Sequence, residues 1–147
     1  MIAYLDSSAL GRRYLVDEGE HGIAQTLLKD PEVTTISGSW TRIEITGALV
    51  RAARAGRGDI EDLLTTFNRD QSTADGPLVL VDVEQADVEE LALAIIRRSG
   101  IRSMDAWHLA CASIAMDSLA DPGEERVFVT RDAEQEVEAR TLGFTVL

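Results

Sequence analysis

Short apolar runs alternate with longer stretches of helical periodicity from one end of the chain to the other. Ile2–Leu5 is four apolar residues in a row, fit for a buried strand, and a helical stretch begins near Ser7. Gly22–Lys29 reads as a second helix and residues 32–36 as a β-branched strand. A Ser37-Gly38-Ser39 turn leads into a helix over residues 40–55, which Gly56-Arg57-Gly58 breaks, and residues 59–69 predict another. Leu78–Val81 is a third strand, and residues 85–98 put Val88, Leu91, Ala92 and Ile95 on one stripe of an amphipathic helix. Ser103 is placed to cap a helix running to about Ser118. Arg126–Val129 is a fourth strand, Ala133–Thr141 a helix ended by Gly143, and residues 144–146 a last short strand.

Short apolar strands separated by longer helices imply parallel βαβ units with helices on both faces. Right-handed crossovers restrict the possibilities to a few three-layer α/β/α sandwiches around a mostly parallel sheet. No repeat or Pro/Ser-rich linker divides the chain, so a single domain over residues 1–147 is expected. In such sheets, ligands bind beyond the carboxyl ends of the strands. Candidate chemistry is therefore sought there.

Composition alters this picture mainly through charge. The chain carries 14 basic and 26 acidic residues, a net charge of −12. Such a surface repels nucleic acid and favours a basic protein partner or divalent cations. Thirteen of the basic residues are arginine, and Lys29 is the only lysine, which excludes mechanisms needing a lysine late in the chain. One cysteine, Cys111, precludes an intrachain disulfide and a multi-cysteine metal site. Its Ala-rich surroundings suit a small buried hydrophobe. The first residues have no basic segment before an apolar run, and no apolar stretch approaches membrane-spanning length. A cytoplasmic protein with no membrane association is the expectation.

Four acids fall at or just beyond predicted strand ends. Asp6 directly follows the first strand, where it is equally suited to cap the next helix; taken alone, capping is the simpler account. Glu44 lies about one turn into a helix, among Ile43, Ile45 and Leu49, which places it within or beside a buried surface. Asp105 occupies the first turn of its helix, where the macrodipole favours an acid whatever its role. Ala106, Ala110, Ala112 and Ala115 behind it allow close packing on the sheet. Asp132 follows the fourth strand, with Gln135 spaced for a reciprocal capping box. Each acid has a capping or dipole account of its own. Converging together, four carboxylates would repel one another and raise each other's pKa values. A hard divalent cation removes that cost, and ligation by oxygen alone selects Mg²⁺ or Mn²⁺ over Zn²⁺.

At these residues the sequence resembles the PIN-domain family, in particular the VapC-type toxins of toxin–antitoxin modules. The resemblance covers essentially the whole chain. Ile2 to Leu10, with Asp6-Ser7-Ser8 at its centre, is similar to the family's opening strand and first acid. Glu44 within Trp40-Thr41-Arg42-Ile43-Glu44-Ile45 resembles the second acid, and Asp105-Ala106-Trp107-His108-Leu109-Ala110 the third, where a D-A-x-H-L-A run is typical. Thr130-Arg131-Asp132 resembles the closing T-x-D, and Leu142 to Val146 the usual ending. The resemblance implies an α/β/α sandwich, Mg²⁺- or Mn²⁺-dependent cleavage of RNA, homodimerisation, and inhibition by a cognate VapB-like antitoxin. In that scheme Asp6 and Asp105 ligate the metal directly, and Asp132 completes the shell directly or through water. Glu44, also in the metal cluster, orients or deprotonates the attacking water. Ser8 and Thr130 are candidates for contact with ligands or phosphate, although for both local capping is the preferred reading. His108 reads as a packed or surface histidine rather than a ligand.

RNA needs local positive charge to approach. Arg51, Arg54 and Arg57 cluster beyond Glu44, with Arg51 on the same helix face as that acid; Arg12, Arg13 and Arg102 lie near strand ends. Each is as well explained as a solvated arginine or an acid's partner. Two other readings compete. Aspartyl phosphoryl transfer, as in haloacid-dehalogenase-like phosphatases or receiver domains, places an acid after the first strand. The former wants a second Asp where Ser8 stands, and the latter a late lysine. A catalytically silent PIN-fold module that binds RNA or protein keeps the same acids without turnover.

Overall fold

The computed structural model describes residues 1–15, 17, 22–72 and 76–147. Its five strands are β1 (Ile2–Leu5), β2 (Thr34–Gly38), β3 (Leu78–Val81), β4 (Arg126–Val129) and β5 (Thr145–Val146). They form one sheet in the order β3-β2-β1-β4-β5, and every pairing is parallel. The helices are α1 (Ser7–Gly11), α2 (Gly22–Lys29), α3 (Thr41–Arg54), α4 (Ile60–Asp70), α5 (Gln85–Ser99), α6 (Ser103–Leu119) and α7 (Ala133–Thr141).

The period-two alternation of a strand sorts side chains into two cores. Ile2 and Tyr4 of β1, Ile36 of β2 and Phe128 of β4 face α5, α6 and α7. Ala3 and Leu5, with Leu78, Val127 and Val129, face α1 to α4. The expected α/β/α sandwich is thus observed, and its sheet is wholly parallel. In α5, Val88, Ala92 and Ile95 are buried and Leu91 packs against them, the stripe expected from the sequence. The alanines of α6 at 106, 110, 112 and 115 are all buried, so this helix lies close to the sheet. No helix among the described residues is long and apolar enough to cross a membrane.

Three local expectations are corrected. The second strand starts at Thr34 and not at residue 32, because Asp30 closes a turn, taking the Glu32 N–H on its side chain (3.0 Å) and the Val33 N–H on its carbonyl (3.1 Å). Its end extends to Gly38: Ser37 and Gly38, expected in a turn, pair with Leu80 and Val81. Ser103 does not cap α6; it is the first helical residue, and Arg102 holds the cap position without a side-chain bond.

Under the α1–α4 layer, Asp70 is almost wholly buried, with Arg13 Nε 3.4 Å from its Oδ2. Arg13 also lies over the Tyr14 ring, whose hydroxyl is pushed far up by burial and then by Asp70. This arginine, a candidate for meeting RNA, is committed to the core's edge.

β1 is the central strand: the chain goes to β2 on one side of it and β4 closes on the other. The crevice beyond β1 and β4 is a topological switch point, where parallel sheets bind their ligands.

Candidate functional site

Asp6 leaves β1 at that crevice, its backbone N–H bonded to Val129 O across the seam (3.1 Å). Its side chain caps α1, Oδ1 accepting from Ala9 N at 2.8 Å, a contact of the kind worth about 1 kcal/mol. Capping does not exhaust the carboxylate. Ser8 Oγ lies 2.9 Å from both oxygens, and Thr130 Oγ1 is 3.1 Å from Oδ2. Asp6 is only 3% exposed, and burial pushes its pKa up against the opposing pull of His108, the Ala9 N–H and the two hydroxyls.

The Thr130 hydroxyl, with a single hydrogen, faces two acceptors, Asp6 Oδ2 and, at 2.5 Å, Gln135 Oε1, and it accepts the Asp132 N–H at 3.0 Å.

Asp132 caps α7 as expected, accepting from the N–H groups of Glu134 (2.9 Å) and Gln135 (3.1 Å). The reciprocal half of the capping box is not formed. Thr130 Oγ1 takes the Asp132 N–H instead, and the buried Gln135 side chain turns inward between Thr130 and the Asp105 carbonyl (3.2 Å). Ser8 Oγ accepts the Arg131 N–H at 3.0 Å, so both hydroxyls tie the β1 and β4 ends together.

Asp105 sits in the first turn of α6, and its Oδ2 is buried without a hydrogen bond. Arg102 spans the gap between two acids, Nε 3.3 Å from Asp105 Oδ2 and one terminal nitrogen 2.5 Å from Asp132 Oδ2. The Asp105 pKa is raised, first by burial and next by Asp132; Arg102 and His108 oppose the shift, and Glu44 adds to it. Asp105 thus feels two of the other acids as like charges.

Glu44 comes from the first turn of α3 and is half-buried. Its neighbour Ile43, expected on a buried surface, is 64% exposed; the helix turns Ile45 and Leu49 inward instead. What holds Glu44 is His108 of α6, whose Nε2 lies 2.8 Å from Oε2. His108 is itself 1% exposed, with Nδ1 2.9 Å from the Tyr4 hydroxyl, which accepts the Gly38 N–H at 3.0 Å. Packing was foreseen for His108, but its bond to a site acid was not. The signal was its one-turn spacing from Asp105. Only a glycine fits at position 38, since a Cβ there would stand 2.6 Å from the Trp107 ring and 2.8 Å from the Tyr4 oxygen.

The four acids therefore stand around one sheet end: Thr130 bonds Asp6 and the Asp132 N–H, Arg102 spans Asp105 and Asp132, and His108 holds Glu44. Among the described residues, no three His, Cys, Asp or Glu side chains stand close enough together to hold one ion. The arginines divide. Arg102 joins the site, while Arg57 is held by Asp17 at 2.7 and 2.9 Å. Arg51 and Arg54 are exposed, with the Arg51 guanidinium turned back over Gly47 toward the Glu44 end of α3. Trp40, 47% exposed, meets Trp107 edge to face at 6.2 Å, and Trp107 meets His108 at 5.2 Å. Cys111 is buried and its thiol is pushed up to about 11 by burial, which fits an inert packing residue.

Compared with protein-family models and with curated proteins, the chain finds no match.

Proposed function

We propose that this chain is a Mg²⁺- or Mn²⁺-dependent endoribonuclease of the PIN-domain type, the toxin of a toxin–antitoxin pair, with Asp6, Glu44, Asp105 and Asp132 as its working acids. The observation that carries the reading is Asp105. One of its oxygens is buried without a hydrogen bond, and the group is under like-charge pressure from Asp132 and Glu44. Arg102, largely exposed and 3.3 Å from that oxygen, offsets the charge only in part, and a cation relieves the remainder. The donors are all oxygens, which suits a hard divalent ion. When bound, such an ion lowers the pKa of water and stabilises charge developing on phosphate oxygens.

The chain's own groups divide the remaining work. Asp6, Asp105 and Asp132 would hold the ion by closing together on it, and Asp132 could do so while capping α7 through its other oxygen. Glu44 keeps Oε1 to accept a proton from the attacking water, since Oε2 is engaged by His108. Ser8 and Thr130 hold Asp6 in place, as does its cap. Arg51 reaches for phosphate from α3, and the exposed face of Trp40 offers an unpaired base a surface on which to stack. The acidic remainder of the surface suits a basic segment of a VapB-like antitoxin, and homodimerisation follows from the resemblance alone.

The test is cleavage of single-stranded RNA with Mn²⁺, with EDTA and with the variants Asp6→Asn and Asp105→Asn. Metal-dependent cleavage lost in both folded variants is expected; full activity in either ends the proposal. A non-catalytic module that binds RNA or protein is favoured by one observation, the lack of three convergent ligands among the described residues. Mn²⁺ binding without turnover would select it.

A further inference from the structure

We infer that His108 is a positioning residue: Tyr4 holds it as the Nε2–H tautomer, so that it donates to Glu44 and leaves Glu44 Oε1 as the basic oxygen. The inference rests on the role proposed for Glu44. Its ground is a count of donors along a buried chain. The Tyr4 oxygen accepts the Gly38 N–H at 3.0 Å, so its own hydrogen points elsewhere, and His108 Nδ1 at 2.9 Å is the acceptor in line. The other group beside the hydroxyl is the Cys111 thiol, a weak acceptor. A hydrogen on Nδ1 would force the phenol oxygen to accept twice and turn its own hydrogen to that sulfur. In the neutral ring it would also set the Nε2 lone pair against the Glu44 carboxylate at 2.8 Å. With Nδ1 accepting, Nε2 carries the hydrogen.

The anchor of this chain is rigid. Tyr4 is fully buried in the central strand and stacks on Phe128 with ring centroids 5.5 Å apart and planes 6° from parallel. The edge of Trp107 closes on the His108 ring. Glu44, by contrast, is a long side chain on a partly exposed helix turn, free to sample several rotamers unless held. Among the described residues its hydrogen-bond partner is the imidazole, so orientation passes from the sheet to the carboxylate through two hydrogen bonds.

The experiment reads the tautomer directly, by long-range ¹H–¹⁵N correlation on the whole labelled protein, together with cleavage kinetics. In the unmodified chain His108 shows a protonated Nε2 and an acceptor Nδ1. In Tyr4→Phe, which keeps the ring stack, the tautomers mix, kcat for Mn²⁺-dependent RNA cleavage falls about tenfold with KM unchanged, and the Glu44 carboxyl ¹³C signal broadens. His108→Phe loses the same factor, and adding Tyr4→Phe to it costs nothing further. An Nδ1–H or doubly protonated ring in the unmodified chain overturns the inference. So does an unchanged kcat in Tyr4→Phe. Absence of any cleavage by the unmodified chain defeats the nuclease reading instead, and the two spectra then decide the positioning on their own: a Glu44 signal indifferent to Tyr4→Phe refutes it.

Discussion

Arg102 stands 3.3 Å from Asp105 on the side where Asp132 also converges, so one guanidinium neutralises two acids that otherwise repel. It is largely exposed and can leave without unfolding anything. A divalent ion at these carboxylates would compete with it. Arg102→Ala is therefore expected to bind Mn²⁺ about fivefold more tightly, the equivalent of ~1 kcal/mol for a partly screened charge. Isothermal titration measures this, and weaker binding in the variant would make Arg102 a helper of the ion and not its rival.

The raised pKa of Asp105 has a definite sign for stability. The folded state binds its proton more tightly than the unfolded chain does, so ionisation works against folding. The resulting penalty is absent below the ordinary carboxylate pKa of about 4 and grows as pH rises toward the raised folded value. Without metal, Asp105→Asn should be more stable than the parent at pH 7. That advantage should shrink toward zero as pH falls to about 4. Urea unfolding in EDTA across this range checks it; an Asn variant equally or less stable at pH 7 contradicts the repulsion.

Asp6 yields a prediction of another kind. Burial raises its pKa, so in the metal-free protein it keeps its proton to higher pH than an ordinary carboxylate does. Binding of Mn²⁺ should then expel that proton. Calorimetric heats measured in buffers of different ionisation enthalpy should diverge in acidic solution and converge as the pH is raised. Heats identical in all buffers across that range would mean that Asp6 either is ionised beforehand or takes no part.

Arg13 and Asp70 provide the structural control. Asp70 is buried, its Oδ2 lacks a hydrogen bond, and Arg13 at 3.4 Å is its main compensation. Arg13→Ala strands that charge and is expected to destabilise the protein by about 3 kcal/mol. The Mn²⁺ affinity of the folded fraction should not change. Thermal unfolding and titration on the same sample separate the two effects.

Alternation and periodicity made the framework legible. Apolar strands of four residues and the 88-92-95 stripe of α5 locate the layers, and the strand ends locate the acids. The parts that escaped are those decided by tertiary partners. Spacing alone makes Gln135 a capping-box residue, yet Thr130 reaches the Asp132 N–H first and frees Gln135 to bridge inward. Apolar neighbours suggested a buried Ile43, but only the 3.6-residue turn relative to the packed face decides which of three adjacent residues points in. His108 looked bland because its one-turn spacing from Asp105 does not reveal what its ring bonds. Its meaning depends on Tyr4, 104 residues away.

The placement of β1 between β2 and β4 has a consequence for biosynthesis. The Asp6 and Glu44 side of the crevice is translated early, whereas Asp105, Thr130 and Asp132 emerge only in the last third of the chain. A nascent polypeptide on the ribosome, even with β1 and β2 already paired, holds half of the candidate site. Whatever these carboxylates do together waits until β4 slots in beside β1.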